Sequence, residues 1–206
     1  VQKLISKAFN FIIMISLPAT VGIIMLASPI IQIFVGHEYT GAITTIRIIS
    51  PIIVAIALSN LIGIQILIAH GKEKITLMST ILGALINFTL NLILIPTFKQ
   101  NGAAVATLVA EISVMVFQLF YAYSYIKGNI KLKNIASYFG GSLIIVIVIL
   151  TLNFYTSDMI VFTVTSVILS IVFYFGFLYL VKNELVYEIS NRLMKSIKRL
   201  IKIDMK

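Results

Sequence analysis

Residues 136–181 read ASYFGGSLIIVIVILTLNFY-TSDM-IVFTVTSVILSIVFYFGFLYLV, and the only charge among them is Asp158. A bilayer core about 30 Å thick needs roughly 20 apolar residues in a helix. The stretch therefore holds two membrane spans, Ala136–Tyr155 and Ile160–Val181, parted by Thr156-Ser157-Asp158. Working outward, the same pattern recurs four more times, over Phe11–Val35, Ala42–Ala69, Ile75–Thr97 and Ala103–Ile126. The intervening breaks are short and polar: residues 36–41, His70 to Lys74, Phe98 to Gly102, and Lys127 to Ile135. Each break falls where a full span ends, as turn residues should. The ten-residue alternation of barrel strands is absent. The sequence predicts an all-α integral membrane protein with six transmembrane helices.

Composition excludes the alternatives. Of 206 residues, 60% are hydrophobic and 11% charged, with mean hydropathy +1.08. A soluble domain carries about 25% charged residues to cover its surface. The chain has no cysteine, so disulfide scaffolds and thiolate sites are excluded. Its net charge of +9 is a topology signal and requires no nucleic acid. With the N-terminus inside, 14 of the 16 Lys and Arg residues fall on the inner side. Lys99 stands outside and Arg47 within a span. Inner loops are enriched in Lys and Arg, so both termini are expected to be cytoplasmic. The chain begins with Val1 in mid-pattern, which suggests a piece of a longer protein.

Residues 183–206 differ from the rest. Leu185, Ile189, Leu193 and Ile197 recur at helical spacing, with Arg192, Lys195, Lys198, Arg199 and Lys202 between them. This is either a basic amphipathic helix on the anionic inner leaflet or a solvated terminal helix.

Polar groups in hydrocarbon are costly and mark function or packing. Arg47 lies roughly 8 Å inside the second span at 1.5 Å per residue. It either snorkels to the headgroups or attracts an anionic substrate in an aqueous cavity. Glu111 lies roughly 12 Å into the fourth span by the same rise. It shares a face with Gly102, Ala106, Ala110, Ala103 and Thr107, and small residues at that spacing mark helix–helix packing. Glu111 either pairs with Arg47 to hold helices together or serves as an ion-coupling carboxylate. Thr80, Gly83, Ala84, Asn87 and Asn91 form a matching stripe on the third span. Pro18 and Pro29 in the first span and Pro51 in the second are helix-kink candidates. Such breaks recur in transporters that rock between two states, although Pro is common in membrane helices generally. His37 and His70 fall on opposite faces and cannot share a metal. No phosphate loop, dinucleotide fingerprint or serine elbow occurs, so neither an enzyme, a cofactor nor a metal site is expected.

Three local motifs carry a family resemblance. Leu17-Pro18-Ala19-Thr20-Val21-Gly22 is followed by Ser28-Pro29-Ile30-Ile31-Gln32-Ile33-Phe34 and Gly36. Asn91-Leu92-Ile93-Leu94-Ile95-Pro96 precedes Gly102-Ala103-Ala104-Val105-Ala106-Thr107 and Glu111. Ala69-His70-Gly71-Lys72 with Thr76 forms a short turn. Together, over about residues 1–180, they resemble the polysaccharide and lipid-linked oligosaccharide flippases, O-antigen flippases among them. These belong to the multidrug/oligosaccharidyl-lipid/polysaccharide superfamily.

The resemblance implies the C-terminal part of a two-lobed fold of 12–14 helices. Residues 1–126 would be four helices of the C-lobe, 127–182 two additional helices, and 183–206 the cytoplasmic tail. It further implies export of an undecaprenyl-pyrophosphate-linked sugar repeat across the bacterial inner membrane, as in lipopolysaccharide assembly. Arg47, Asn87 and Asn91 would then be substrate or cavity residues, and Glu111 a coupling or packing residue. Membrane lipids and glycan polymerase or assembly proteins would be partners. A multidrug-type cation antiporter of the same fold and a non-transporting scaffold for glycan assembly are the competing readings.

Overall fold

The computed structural model describes residues 2–127 and 132–191. Residues 192–206, with most of the basic residues of the expected amphipathic tail, lie outside the described residues. No strand occurs among the described residues.

Helix α1 spans Gln2–Phe34. At 1.5 Å per residue its 33 residues reach about 50 Å, longer than the hydrocarbon core. The second span, Gly41–His70, is broken into pieces. It comprises α2 (Gly41–Ile49), α3 (Ile52–Asn60), a π-helical segment (Leu61–Leu67) and a terminal 3-10 turn (Ile68–His70). Helix α4 (Glu73–Ile126) contains two spans, α5 is Leu132–Tyr155 and α6 is Met159–Leu180. Counting α4 twice gives six crossings, as the hydropathy pattern predicts.

The reversal within α4 is the tightest feature of the fold. Its 54 residues run helically except at Lys99, where φ is 49° and ψ is −128°. One residue turns the chain back on itself, where the sequence suggested a five-residue break. The two limbs then zip together away from the turn. Leu94 meets Gly102, Asn87 meets Thr107, Gly83 meets Val114, and Ser79 meets Gln118. Gly102 lies against the Leu94 backbone carbonyl, with no room for a Cβ. Small residues on one face let the backbones approach this closely.

Pro18 and Pro29 both sit inside α1 without ending it, whereas Pro51 stands at the junction of α2 and α3. Pro51 has no N–H to offer, and the strand of hydrogen bonds is repaired locally. The Thr20 hydroxyl of α1 donates to the Ser50 carbonyl at 3.4 Å, pinning the junction to the neighbouring helix.

The core runs along α1. Phe9, Ile13, Met14 and Leu26 pack with Leu58 and Leu61, and with Tyr138, Ile145, Ile149, Tyr174 and Leu178 of α5 and α6. Tyr174 donates its hydroxyl to the Met14 carbonyl at 2.8 Å, so the last span is tied to the first. The outward faces carry Phe154, Ile160, Val164, Ile168, Val172 and many other exposed apolar side chains. Patches of this size on a soluble monomer would drive aggregation; on spans this long and apolar they suit a membrane interior. This is a multi-pass membrane protein.

Substituting Gly102→Ala should destabilise the protein by about 1–3 kcal/mol, the usual cost of overpacking. A lowered melting temperature in detergent checks it. An unchanged melting temperature would show that the α4 limbs are further apart than described.

Candidate functional site

In a protein this apolar, polar side chains that gather at membrane depth stand out. They do so in one cleft of about 600 Å³ between the second span and both limbs of α4. Helical spacing builds its walls. Thr76, Thr80, Gly83, Ala84 and Asn87 line one limb, and Thr107, Ala110, Glu111, Val114 and Gln118 the other. Ser59, Asn60, Gly63 and Ile64 close the third side. From Thr76 to Asn87 the cleft extends about 17 Å along the helix axis. Asn60, Thr80 and Ala84 are exposed, so it is open along one side.

Two hydrogen-bonded ladders hold the walls. Toward the Lys99 turn, Asn91 Nδ2 donates to Asn87 Oδ1 at 2.8 Å. Asn87 Nδ2 in turn donates to Thr107 Oγ1 at 3.3 Å, across the two limbs. Toward the other end, Gln118 Nε2 donates to Ser79 Oγ at 2.9 Å, and Ser79 donates to the Thr76 carbonyl at 2.7 Å. Two side-chain oxygens there are buried without a hydrogen-bond partner, Asn91 Oδ1 and Gln118 Oε1. Unpaired buried acceptors are uncommon and costly.

The second span joins this network through its irregular segment. In the π-helical turn the Ile68 N–H reaches back five residues to the Gly63 carbonyl. The Thr76 hydroxyl also donates to that carbonyl, at 3.2 Å. The Gln118 amide lies directly over Gly63, where a Cβ would come within 2.9 Å of Nε2. Single π-turns inside helices are frequent at functional sites.

The structure thus brings together Asn87 and Glu111 of the sequence-predicted residues, both half-buried on the cleft wall. Asn91 stands behind the wall and braces Asn87. Arg47 is exposed and does not line the cleft, nor does it pair with Glu111. The buried Arg47–Glu111 pair expected as one alternative is not formed. Pro18 lines a separate groove between α1, α5 and α6, whereas Pro29 and Pro51 line neither. Sequence reasoning missed Asn60, Ser79 and Gln118. Gln118 was within reach, since it continues the Thr107, Glu111, Val114 face by one more turn.

The groove has a volume of about 440 Å³ and an almost wholly apolar lining, including Met14, Gly22, Leu26, Ile145, Ile149 and Tyr174. On the N-terminal face, His70 stacks on Tyr125 with ring centroids 4.2 Å apart. Its Nδ1 lies 2.6 Å from the Ile66 carbonyl, which places the proton on that nitrogen. No group of three His, Asp or Glu side chains able to hold a metal occurs among the described residues.

Among known proteins, the chain is 31% identical over 119 residues to the "Putative O-antigen transporter" of Escherichia coli, which covers 58% of this chain and 26% of that protein. It is 28% identical over 201 residues to the "Probable lipid II flippase MurJ" of Rickettsia prowazekii, covering 88% of this chain and 39% of that one. The "Lipid II flippase MurJ" of Bacillus subtilis matches at 28% over 116 residues, covering 55% of this chain and 21% of that one. The chain therefore spans between about a fifth and two fifths of the length of these relatives. No family model matches, and no solved structure does.

Replacing Gly63 by Ala should displace the Gln118 amide and lower stability by about 1–3 kcal/mol. Replacing Gln118 by Ala in the same background should recover part of that loss. Thermal melts of the single and double variants check the coupling. The sequence resemblance and the relatives agree: the chain is similar to flippase-like membrane proteins, among them an O-antigen transporter and lipid II flippases.

Proposed function

We propose that the chain is the C-terminal portion of a flippase that moves lipid-linked oligosaccharide across the bacterial inner membrane by alternating access. The observation that carries this reading is the intramembrane cleft with Asn60, Asn87, Glu111 and Gln118 on its walls. Amides, hydroxyls and a carboxylate are the groups that hydrogen-bond sugar hydroxyls. An undecaprenyl-pyrophosphate carrier would keep its tail among apolar side chains, and the groove beside α1 offers such a surface. In this reading residues 1–126 supply four helices of the C-lobe and 127–182 two additional helices. In the same reading both termini lie on the cytoplasmic side. Glycan polymerase or assembly proteins would receive the exported unit, as in O-antigen and lipopolysaccharide synthesis. Arg47, exposed near the far end of its span, would meet substrate outside this cleft.

A second reading is favoured by one specific feature. Among the described residues, Glu111 is the only charged one on the cleft wall, and no Lys or Arg accompanies it. An acidic cleft without a basic partner suits a cation better than a pyrophosphate, as in a multidrug-type cation antiporter. The loops between the spans are too short for a docking domain, which counts against a scaffold that docks assembly proteins.

The gene carrying this sequence should rescue a flippase-null strain of matching sugar background. It should also clear the lipid-linked intermediates that accumulate facing inward. Failure to rescue at full expression would overturn the reading. Glu111→Gln should keep the wild-type melting temperature and lower export at least about tenfold, a loss of roughly 1.4 kcal/mol. If instead the variant exports sugar normally and loses pH-dependent cation efflux, the antiporter reading stands.

A further inference from the structure

The end of the cleft away from the Lys99 turn holds a hydrogen-bond acceptor with nothing to accept. Gln118 is only 3% exposed, and its Oε1 is buried without a partner. Neighbouring bonds set which way its amide points. The Ser79 hydroxyl spends its proton on the Thr76 carbonyl at 2.7 Å. The Ser79 oxygen then receives the Gln118 Nε2 proton at 2.9 Å. Oε1 is the atom left over, and only a donor satisfies it. A buried acceptor left unpaired is uncommon and costly.

The same amide lies on the π-helical turn of the second span. A Cβ on Gly63 would come within 2.9 Å of Gln118 Nε2 and 3.1 Å of Oε1. The Gly63 carbonyl accepts from both the Ile68 N–H and the Thr76 hydroxyl. A π-turn packs one more residue into its circuit than an α-turn does, and a run of ordinary helix formers adopts it only where its surroundings hold it. Here the surroundings are the Gln118 amide and the Thr76 hydroxyl. On one side of the turn stands α3, and on the other the 3-10 turn ending at His70, whose ring is stacked on Tyr125.

One movement links the two observations. While the amide lies on Gly63, Oε1 is buried and out of reach of anything in the cleft. A donor pairs with it only when the amide turns toward the cleft, and that turn uncovers Gly63. An acceptor unpaired in one state and paired in the other is the differential affinity that a ligand needs to shift an equilibrium.

We propose that Gln118 senses a sugar hydroxyl at this end of the cleft. Pairing draws its amide off Gly63, and the Leu61–Leu67 turn relaxes from π to α. The ligand class follows from the acceptor, since a hydroxyl has a proton to give and a phosphate oxyanion has none. Relaxation lengthens the span by about one residue of helix rise, 1.5 Å, and re-aims Ser59 and Asn60 relative to the turn at His70. The inference rests on the reading of the cleft as a sugar site and adds to it the route by which occupancy reaches the second span.

Nitroxides at Ile56→Cys and Ile68→Cys, exposed positions on either side of the turn, report its length. The sequence has no cysteine of its own to compete for the label. The full-length gene product is placed in nanodiscs. The probe is the lipid-linked glycan pool extracted from the host strain. The control is the same extract after mild acid has cleaved off the sugars and left the carrier. By double electron–electron resonance, the intact pool should lengthen the separation by about 1.5 Å, and the acid-treated pool should leave it unchanged. Gln118→Met keeps the length of the side chain but removes the acceptor, and should show one separation with or without the pool. Gly63→Ala, whose Cβ displaces the amide, should show the longer separation with no pool added. Native mass spectrometry reads binding of the pool separately. A pool that does not bind the wild type overturns the sugar reading of the cleft and this inference with it. Binding without lengthening, equal lengthening by both extracts, or lengthening that persists in Gln118→Met overturns this inference alone.

Discussion

Inside a bilayer no water is available to satisfy a backbone dipole, so each backbone polar group must find a partner within the protein, and an unpaired side-chain group is costly. Nearly every irregular feature of this structure answers to that constraint. At Pro51 the helix loses a hydrogen bond, and Thr20 from α1 supplies one at the neighbouring Ser50 carbonyl. Along the π-helical turn the Gly63 carbonyl receives both a backbone N–H and the Thr76 hydroxyl. The amides of Asn87, Asn91 and Gln118 bond to one another or to hydroxyls across the α4 hairpin. Polar residues at these depths therefore hold helices in register as well as defining a cleft, and the two roles share the same atoms.

The α4 hairpin is the element on which the cleft depends. Its turn at Lys99 is so tight that the two limbs are in contact from Leu94 and Gly102 onward. That fixes which faces meet. Gly83 and Ala110 let the limbs approach, and the residues one step round each helix, Ala84 with Asn87 and Glu111, are turned to the cleft edge. A looser turn would let the limbs slide, and the Asn87–Thr107 and Ser79–Gln118 bonds could not both form. A fold assembled from spans that are each hydrophobic nearly all round needs such polar registration, because apolar burial alone does not distinguish one face from another in lipid.

How much of this could be read from the sequence follows from length scales. Six crossings were legible because a span requires some twenty apolar residues and nothing else in the chain imitates that. The Asn87 and Glu111 placements were legible too, because small-residue spacing marks the packed side of a helix. The π-helical turn was not. Leu61 to Leu67 is a run of ordinary helix formers, and the extra residue per turn arises from packing against Thr76 and Gln118 far along the chain. Arg47 shows the opposite limit. Depth along a span says nothing of azimuth, and Arg47 is exposed and does not line the cleft.

The charge pattern of the cleft bears on what could pass along it. A single half-buried carboxylate among amides and hydroxyls is suited to neutral, hydroxyl-rich groups when it is ionised and hydrogen-bonding. A diphosphate in the same space would face Glu111 with no cation to offset it, and like charges at short range in a medium of low dielectric repel strongly. A lipid-linked sugar could nevertheless use this surface if its two parts were handled separately, sugar against the amides and diphosphate against cations elsewhere. Arg47 is one such cation, on the same span that contributes Asn60 and Gly63 to the cleft. Thirteen residues separate Arg47 from Asn60, about 20 Å of helix. That span would then carry a charge-binding end and a sugar-binding end, with the Pro51 junction between them as the point where their relative angle can change.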